Sequence, residues 1–540
     1  MDMAASRRLL AIADDLSGAA EVAAALHSRT TRSRVLLIGR PGAVNGGVAR
    51  ALRPRHPGEA TVLDLDSRYR PATEAAEAVR EALRLSSPDE NAPDALDTLV
   101  LKKIDSLLRG NVAAEIAALA EDGAGVVLAP ALPIAGRVVR SGVVHLGGVA
   151  LHESDAWRAE TLPPPASVAH ALGGLPTALV PLTTVRASRR TLLTALRTAA
   201  AAGRVAICDA ETDADLDAVV EAALAEGPRM RLVGSGGLAL ALGRHLRTTL
   251  NAIGAGAAPA AAGKRGAPAA DAAPAAPPAE MAVAAPPAEM AVGAARAAAS
   301  PASAGRPVLV VVGTAEPAAA EQVRRLVEDG AVHHQLPLAE LLSGGAPVRL
   351  PPLTAPVTVV SLGTPSGAPD PAPPHGAVAT DTAPLPSPRP APEAIAPAAA
   401  PGPAPKPAPS TPPTSVSPPV DTADRTGPDR PDGQTGKQPG AVSGRRLVLG
   451  LARVIGDAVA AHHGAVDLVL TGGETARRVL DALAVAELDP VGQVHHGAVH
   501  LATPDGRSVV TRPGSFGDPD SLRQIVQALR PHSTQRKVTP

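Results

Sequence analysis

Two short segments concentrate side chains able to move a proton or grip an anion. IADDLSGA (12–19) places Asp14 and Asp15 at the end of an apolar run, with Ser17 and Gly18 opening a helical pattern. KKIDSLLRGN (102–111) packs Lys102, Lys103, Asp105, Ser106 and Arg109 between an apolar run and a helix. A carboxylate so placed can accept a proton from a substrate hydroxyl or hold Mg²⁺. An arginine offers a planar fork to a carboxylate. Asp15 and Asp105 are the two candidates for proton acceptor. Taken singly, each segment also reads as plain helix capping. Two such clusters in one domain favour a site. LDSR (65–68) and APALPIAGR (129–137) add Arg68 and Arg137 as candidate anion contacts.

The second half of the chain carries glycine turns instead. Gly313-Thr314, Thr471-Gly472-Gly473-Glu474-Thr475 and Pro513-Gly514-Ser515-Phe516-Gly517 each follow an apolar run, and the second leads straight into a helix. Glycines let backbone approach a phosphate, and a helix N-terminus presents free N–H groups with a favourable dipole. Glu474 can reach a Mg²⁺-bound water or serve as a first-turn acid. No GxxxxGK[ST] is present, so the chain is not a P-loop protein. GSGGLA (234–239) lacks the third glycine of a dinucleotide fingerprint. The histidine pairs 333–334, 462–463 and 495–496 have no third ligand at a metal spacing, and no structural metal is expected.

The elements that must position these residues are βα units. Apolar runs at 9–13, 35–39, 61–65, 98–103, 125–130, 205–210 and 231–235 alternate with helical patterns at 73–83, 112–119, 189–201 and 216–225. That alternation predicts a mostly parallel sheet, whose strand C-termini face a ligand crevice. Glycine-broken alternation at 138–154 predicts a small antiparallel excursion. The βα pattern resumes at 307–314 and 318–329. It continues through 357–363, 447–461, 467–483 and 507–529.

Two stretches break the pattern. Residues 252–306 are Ala/Pro/Gly-rich and hold a tandem nonapeptide, AAPPAEMAV, at 275–283 and 284–292; residues 364–440 are Pro-rich and nearly without large apolar side chains. Such segments bury too little apolar surface to offset their ordering entropy, so both are expected to be disordered. The expected organisation is an α/β domain at 1–251 carrying the charged strand ends, a linker at 252–306, and an α/β domain at 307–535 carrying the glycine turns and interrupted at 364–440.

Composition narrows the function. Lys+Arg is 51 and Asp+Glu is 52, with one Trp, one Tyr and one Phe. Neither a cationic field nor a stacking platform for nucleic acid exists. The single cysteine, Cys208, excludes an intrachain disulfide and a thiolate metal cluster. No apolar run spans a membrane and the N-terminus is no signal peptide, so a cytoplasmic location is expected. A homo-oligomer remains open.

In order and spacing these segments resemble the four-carbon acid sugar kinase family. Its pattern is IADDLTGA, an acid-Ser-Arg segment, KKTDSTLRGN, PAFP..GR, GSAGLA, SGS with a downstream Gln, TGGDTA and K.G.FG. The chain supplies IADDLSGA, DSR (66–68), KKIDSLLRGN and PALPIAGR (130–137). GSGGLA, VGT with Gln322, TGGETA (471–476) and RPGSFGD (512–518) follow. The resemblance spans both halves and omits the two biased stretches. It implies two Rossmann-like α/β domains facing across a cleft. The activity implied is transfer of a phosphoryl group from ATP, with Mg²⁺, to erythronate, threonate or an oxo-tetronate. Asp14, Asp15, Arg68, Lys102, Lys103, Asp105, Ser106 and Arg109 would line the sugar site. Thr314, Gly472, Gly473, Glu474, Thr475, Gly514 and Gly517 would hold ATP. Ser17 and Leu107 replace threonines, Val312 and Thr314 stand where the family prefers serines, and Arg512 replaces a lysine. The last three substitutions motivate a rival expectation, a non-catalytic sensor of sugar acid and nucleotide.

Overall fold

The apolar runs form strands of one continuous sheet. The computed structural model describes residues 8–28, 31–39, 55–56, 58–86, 98–158, 160, 162–256, 305–314, 317–342, 348–363, 439–514 and 517–530. In the first half the strands are β1 (Arg8–Ala13), β2 (Ser33–Leu37), β3 (Ala60–Asp64), β4 (Thr98–Lys103) and β5 (Gly125–Ala129). An antiparallel set follows, β6 (Arg137–Arg140), β7 (Val143–Leu146) and β8 (Val149–Ala150), then β9 (Thr177–Val180), β10 (Val205–Cys208) and β11 (Met230–Gly234). The second half supplies β12 (Val308–Val312), β13 (Val332–Pro337), β14 (Val357–Gly363) and β15 (Asp467–Thr471). It ends with β16 (Glu487–His495), β17 (Ala498–Ala502) and β18 (Ser508–Arg512).

The sheet runs β13-β14-β12-β15-β18-β17-β16-β2-β3-β1-β4-β11-β5-β10-β9. Every pairing from β2 to β9 is parallel, as are those from β13 to β18. The halves are therefore two mostly parallel α/β sheets, as the βα alternation predicts. They are joined edge to edge by a short antiparallel contact, Glu487↔Leu36 and Leu488↔Val35.

Each half switches the direction of its strand order beside its first strand. In the first, the chain builds β2 and β3 on one side of β1, then crosses to β4 on the other. In the second, it builds β13 and β14 on one side of β12, then crosses to β15. Such switch points open a crevice at the strand C-termini. Those ends carry Asp14, Asp15, Arg68 and Lys103 in one half and Gly313, Gly472 and Gly473 in the other.

Several elements differ from the sequence reading. β9 and β13 were not expected, because β9 is four residues long and β13 (VHHQLP) is polar and partly exposed. β16 is interrupted by Pro490 and Gly492, where its register on β17 slips. Residues 252–256 continue the helix Gly236–Gly256, and the helix Pro439–Ala461 begins at 439. The two biased stretches thus lose a few residues to helices at their edges. The rest of both, apart from Gly305 and Arg306, lies outside the described residues.

Candidate functional site

β1 ends in an interlocked acid pair. The Arg68 guanidinium donates to both oxygens of Asp14 (Nε to Oδ2, 2.7 Å; Nη2 to Oδ1, 2.9 Å) and to Asp15 Oδ2 at 2.7 Å. Asp15 also caps the helix Leu16–Leu26, its Oδ1 accepting the Gly18 N–H at 2.8 Å. The two carboxyls face different fates. Burial works against ionising Asp14, but Arg68, with Lys102 and Lys103 behind it, holds that carboxyl below the ordinary carboxylate range. Burial pushes Asp15 above that range despite Arg68, and the charge of Asp14 adds to the push. Asp15 is thus the more proton-avid of the pair.

β4 delivers its two lysines to opposite faces, as alternation on a strand requires. Lys103 turns into the cleft, where its ammonium lies 3.3 Å from Glu21. Burial opposes its charge, and Glu21 and Asp15 raise its pKa over that opposition. Lys102 turns away from the site. It is fully buried, with Nζ 2.9 Å from Glu115, whose other oxygen accepts the Ser67 hydroxyl. The expectation that Lys102 contacts the sugar is therefore corrected: it supports the Arg68 loop from beneath. Leaving one member of such a buried pair unpartnered costs about 3–5 kcal/mol. Glu115→Gln is expected to lower the melting temperature by a loss of that size. Glu115→Leu combined with Lys102→Met should recover much of it in the same thermal scan.

Beyond β4, Asp105 receives the Arg109 guanidinium at 2.5 and 3.1 Å. Burial is outweighed there by Arg109, Arg68 and Lys103, which hold Asp105 far below the usual range. The Ser106 hydroxyl accepts from Arg137, whose pKa burial lowers.

The second half meets this cluster through the helix Gly473–Ala482. Its N-cap is Gly472, at φ 89°, with no side-chain cap, so its first N–H groups are open to an anion. A Cβ on Gly473 would fall 2.6 Å from Asp15 Oδ2 and 2.9 Å from Ser17 Oγ. Ser17 Oγ is buried and has no hydrogen-bond partner among the described residues. Arg512 is buried at the end of β18. It donates to Ser521 Oγ at 2.7 Å and to the Gly514 carbonyl, and burial lowers its pKa to about 10.

These groups surround a cleft of about 500 Å³. Asp15, Ser17, Arg68, Lys103, Asp105, Ser106, Arg109 and Arg137 line it from the first half, and Gly472, Gly473 and Gly514 from the second. Asp14 and Glu474 open instead on a small adjoining recess. Other expected nucleotide residues support the turns rather than line the cleft. The Thr471 hydroxyl donates to the Val311 carbonyl at 3.1 Å. Thr475 packs on Gly313, Thr314 lies against Gly514, and Gly517 sits beside Ser521 and Arg512. Ser515 lies outside the described residues. Sequence reasoning missed Glu21, Tyr69, Asp155 and Arg158, which also line the cleft. Glu21 had a signal, one helical turn beyond Ser17; the last two arrive with the turns after β8.

Residues 9–242 match the family model of a sugar-binding N-terminal domain, and residues 418–522 that of a nucleotide-binding C-terminal domain. The chain belongs to the four-carbon acid sugar kinase family. Its curated relatives include a D-threonate kinase of Cupriavidus necator, 38% identical over 236 residues, covering 43% of this chain and 53% of the relative. A D-threonate kinase of Salmonella typhimurium is 32% identical over 241 residues, covering 44% and 53%. A D-erythronate kinase of Heliobacterium modesticaldum is 31% identical over 190 residues, covering 34% and 42%. The chain thus aligns with about half the length of the curated relatives it matches. Two crystal structures share the fold. A Salmonella typhimurium protein described as a tRNA synthase has TM-score 0.57 at 16% identity, covering 96% of this chain and 98% of that one. A Haemophilus influenzae protein has TM-score 0.54 at 16% identity, covering 96% and 99%. Among the described residues no helix is long and apolar enough to cross a membrane.

Proposed function

We propose that this chain is an ATP-dependent kinase that phosphorylates a hydroxyl of a four-carbon sugar acid, with residues 1–251 binding the acid and residues 307–535 the nucleotide. One observation carries the reading: Gly473, at an uncapped helix N-terminus, abuts Asp15, the carboxyl with the raised proton affinity. That proximity supports a reading in which the phosphate donor is held beside the proton acceptor. The names of the curated relatives support the substrate class.

The residues present fit ATP. The open N–H groups after Gly472 and the Ser17 hydroxyl, unpartnered among the described residues, suit phosphate oxygens. No cluster of three metal-ligating side chains occurs among the described residues, which suits Mg²⁺ held mainly by phosphates and one or two carboxylates. Glu474, whose pKa burial raises, is the second-half carboxylate in place for that. When bound, Mg-ATP supplies the phosphoryl group and neutralises its charge. The protein contributes position and proton transfer. Lys103, Arg109 and Arg137 line the acid side of the cleft and hold the sugar carboxylate. Arg68 is committed to the acid pair and fixes the Asp15 carboxyl. Asp15 Oδ2 takes the proton of the attacking hydroxyl. Asp105, clamped by Arg109, orients that arginine and is too weak a base for the same task.

A coupled ADP-release assay over D- and L-threonate, D- and L-erythronate and their oxo forms tests the reading. Acid-dependent ADP release with at least one of them is expected. Ligand-induced thermal stabilisation with no ADP release from any would support the sensor instead.

A further inference from the structure

The helix that offers its N-terminus to phosphate grips the first half one turn further on. Arg478 donates through the single nitrogen Nη2 to both oxygens of Asp66, at 2.7 and 3.0 Å. Its neighbour Arg477 donates to Asp64 Oδ2 at 2.8 Å and to the Ile38 carbonyl at 2.7 Å. All four of these charged side chains are largely or fully buried.

The segment they hold carries Arg68. Asp66 adopts φ 49°, a left-handed conformation costly for a residue with a Cβ. Three contacts support it: its N–H donates to Asp64 Oδ1 at 3.0 Å, and its carboxylate receives Arg478 at 2.7 Å and, more weakly, Arg70 at 3.4 Å. Two residues later Arg68 sets the acid pair. The chain of contacts is continuous. It runs from the open N–H groups at Gly473, through one helical turn to Arg478, across to Asp66, and along two residues to Arg68 and Asp15.

We propose that Asp66 and Arg478 are positioning residues that couple the two binding sites, so that nucleotide held at the helix N-terminus tightens binding of the sugar acid, and the reverse. The inference rests on the kinase reading above. A phosphate pulled onto the helix N-terminus sets where the helix sits. Through Arg478, whose other terminal nitrogen is anchored on Asp481 of the same helix at 3.0 Å, the helix sets whether Asp66 keeps its left-handed turn, and that turn aims Arg68. Neither residue touches substrate in this scheme. Linkage requires the coupling factor to be equal in both directions.

The test is calorimetric titration of the full chain with D-threonate and D-erythronate. Each is titrated with and without a non-hydrolysable ATP analogue and Mg²⁺. In the unmodified chain the analogue should tighten acid binding about 5- to 150-fold, the usual range of such coupling. In Arg478→Met and in the near-isosteric Asp66→Asn the ratio should fall below about twofold. Arg478→Lys, which keeps the charge but loses the bridge from Asp66 to Asp481, should lie between. In turnover, Arg478→Met should raise the acid KM at saturating ATP far more than it lowers kcat. A ratio near one in the unmodified chain, or an undiminished ratio in Asp66→Asn, overturns the coupling while leaving the kinase reading intact. Failure of the unmodified chain to bind the nucleotide or any four-carbon acid overturns the kinase reading itself, and the coupling with it.

Discussion

Asp15→Asn is expected to abolish turnover while leaving the fold intact. Loss of a positioned general base costs about 10²–10⁴-fold, and the upper end applies here because the asparagine also gives up the Arg68 contact. Asn keeps an oxygen for the Gly18 N–H, so the helix cap survives and the melting temperature should hold. The pH profile gives a second check. Asp15 must be ionised to accept a proton, and its pKa lies above the ordinary carboxylate value. Turnover should therefore fall as pH drops through that raised pKa. Asp105→Asn should retain that acid limb, with its main loss in affinity for the sugar acid as Arg109 loses its anchor. If Asp15→Asn turned over normally and Asp105→Asn did not, the roles assigned to them would be reversed. Full turnover in both would remove the mechanism.

Gly473→Ala is the second large effect, and it separates activity from stability. Elsewhere in a helix, Gly→Ala stabilises by about 0.5–1 kcal/mol. Here the new methyl would lie 2.6 Å from Asp15 Oδ2 and 2.9 Å from Ser17 Oγ. The carboxylate cannot swing aside cheaply, because Arg68 and the Gly18 N–H hold it from two directions at 2.7 and 2.8 Å. The helix must back away from the acid pair instead. A displacement near 1 Å between reacting groups costs about 10²-fold. A fall in kcat/KM of that order is expected, with an unchanged or slightly higher melting temperature. Gly514→Ala is the control. Its Cβ would meet nothing closer than Thr314 at 3.5 Å, so the steric loss should stay under about tenfold. Equal losses in the two variants would show that the approach of Gly473 to Asp15 is not what matters.

The parts of the site legible in the sequence are those fixed by local rules. Asp14, Asp15, Lys103 and Asp105 follow apolar runs, and a parallel sheet aims such positions at a crevice. Gly472 and Gly473 precede a helical pattern, so an anion site follows from chain direction alone. The roles of individual side chains were harder to read, because they depend on neighbours distant in sequence. Lys102 looks as suitable for an anion as Lys103. Strand alternation says only that one of the two must face away, and Glu115, contributed by a different helix, decides which. Asp15 and Asp105 are equivalent as a sequence pair. Burial and Asp14 hold one carboxyl above the ordinary range, and Arg109 holds the other far below it. The Arg478–Asp66 ion pair joins residues from opposite ends of the chain, and no period or spacing points to it. Joining the two sheets through β16 was equally hidden, because Pro490 and Gly492 break the alternation by which strands are recognised.

That seam bears on how the protein is made. β2 is finished early in synthesis, yet the strand that covers its outer side, β16, is translated near the far end of the chain. At ordinary ribosomal speeds the interval is on the order of tens of seconds. Throughout it the nascent first half offers a bare, apolar strand edge, the feature that invites intermolecular pairing and aggregation. Soluble yield should therefore depend on shielding the newborn chain, through slower production in the cold or a supply of holdase chaperones. Once β16 has docked, the same protein should tolerate high concentration.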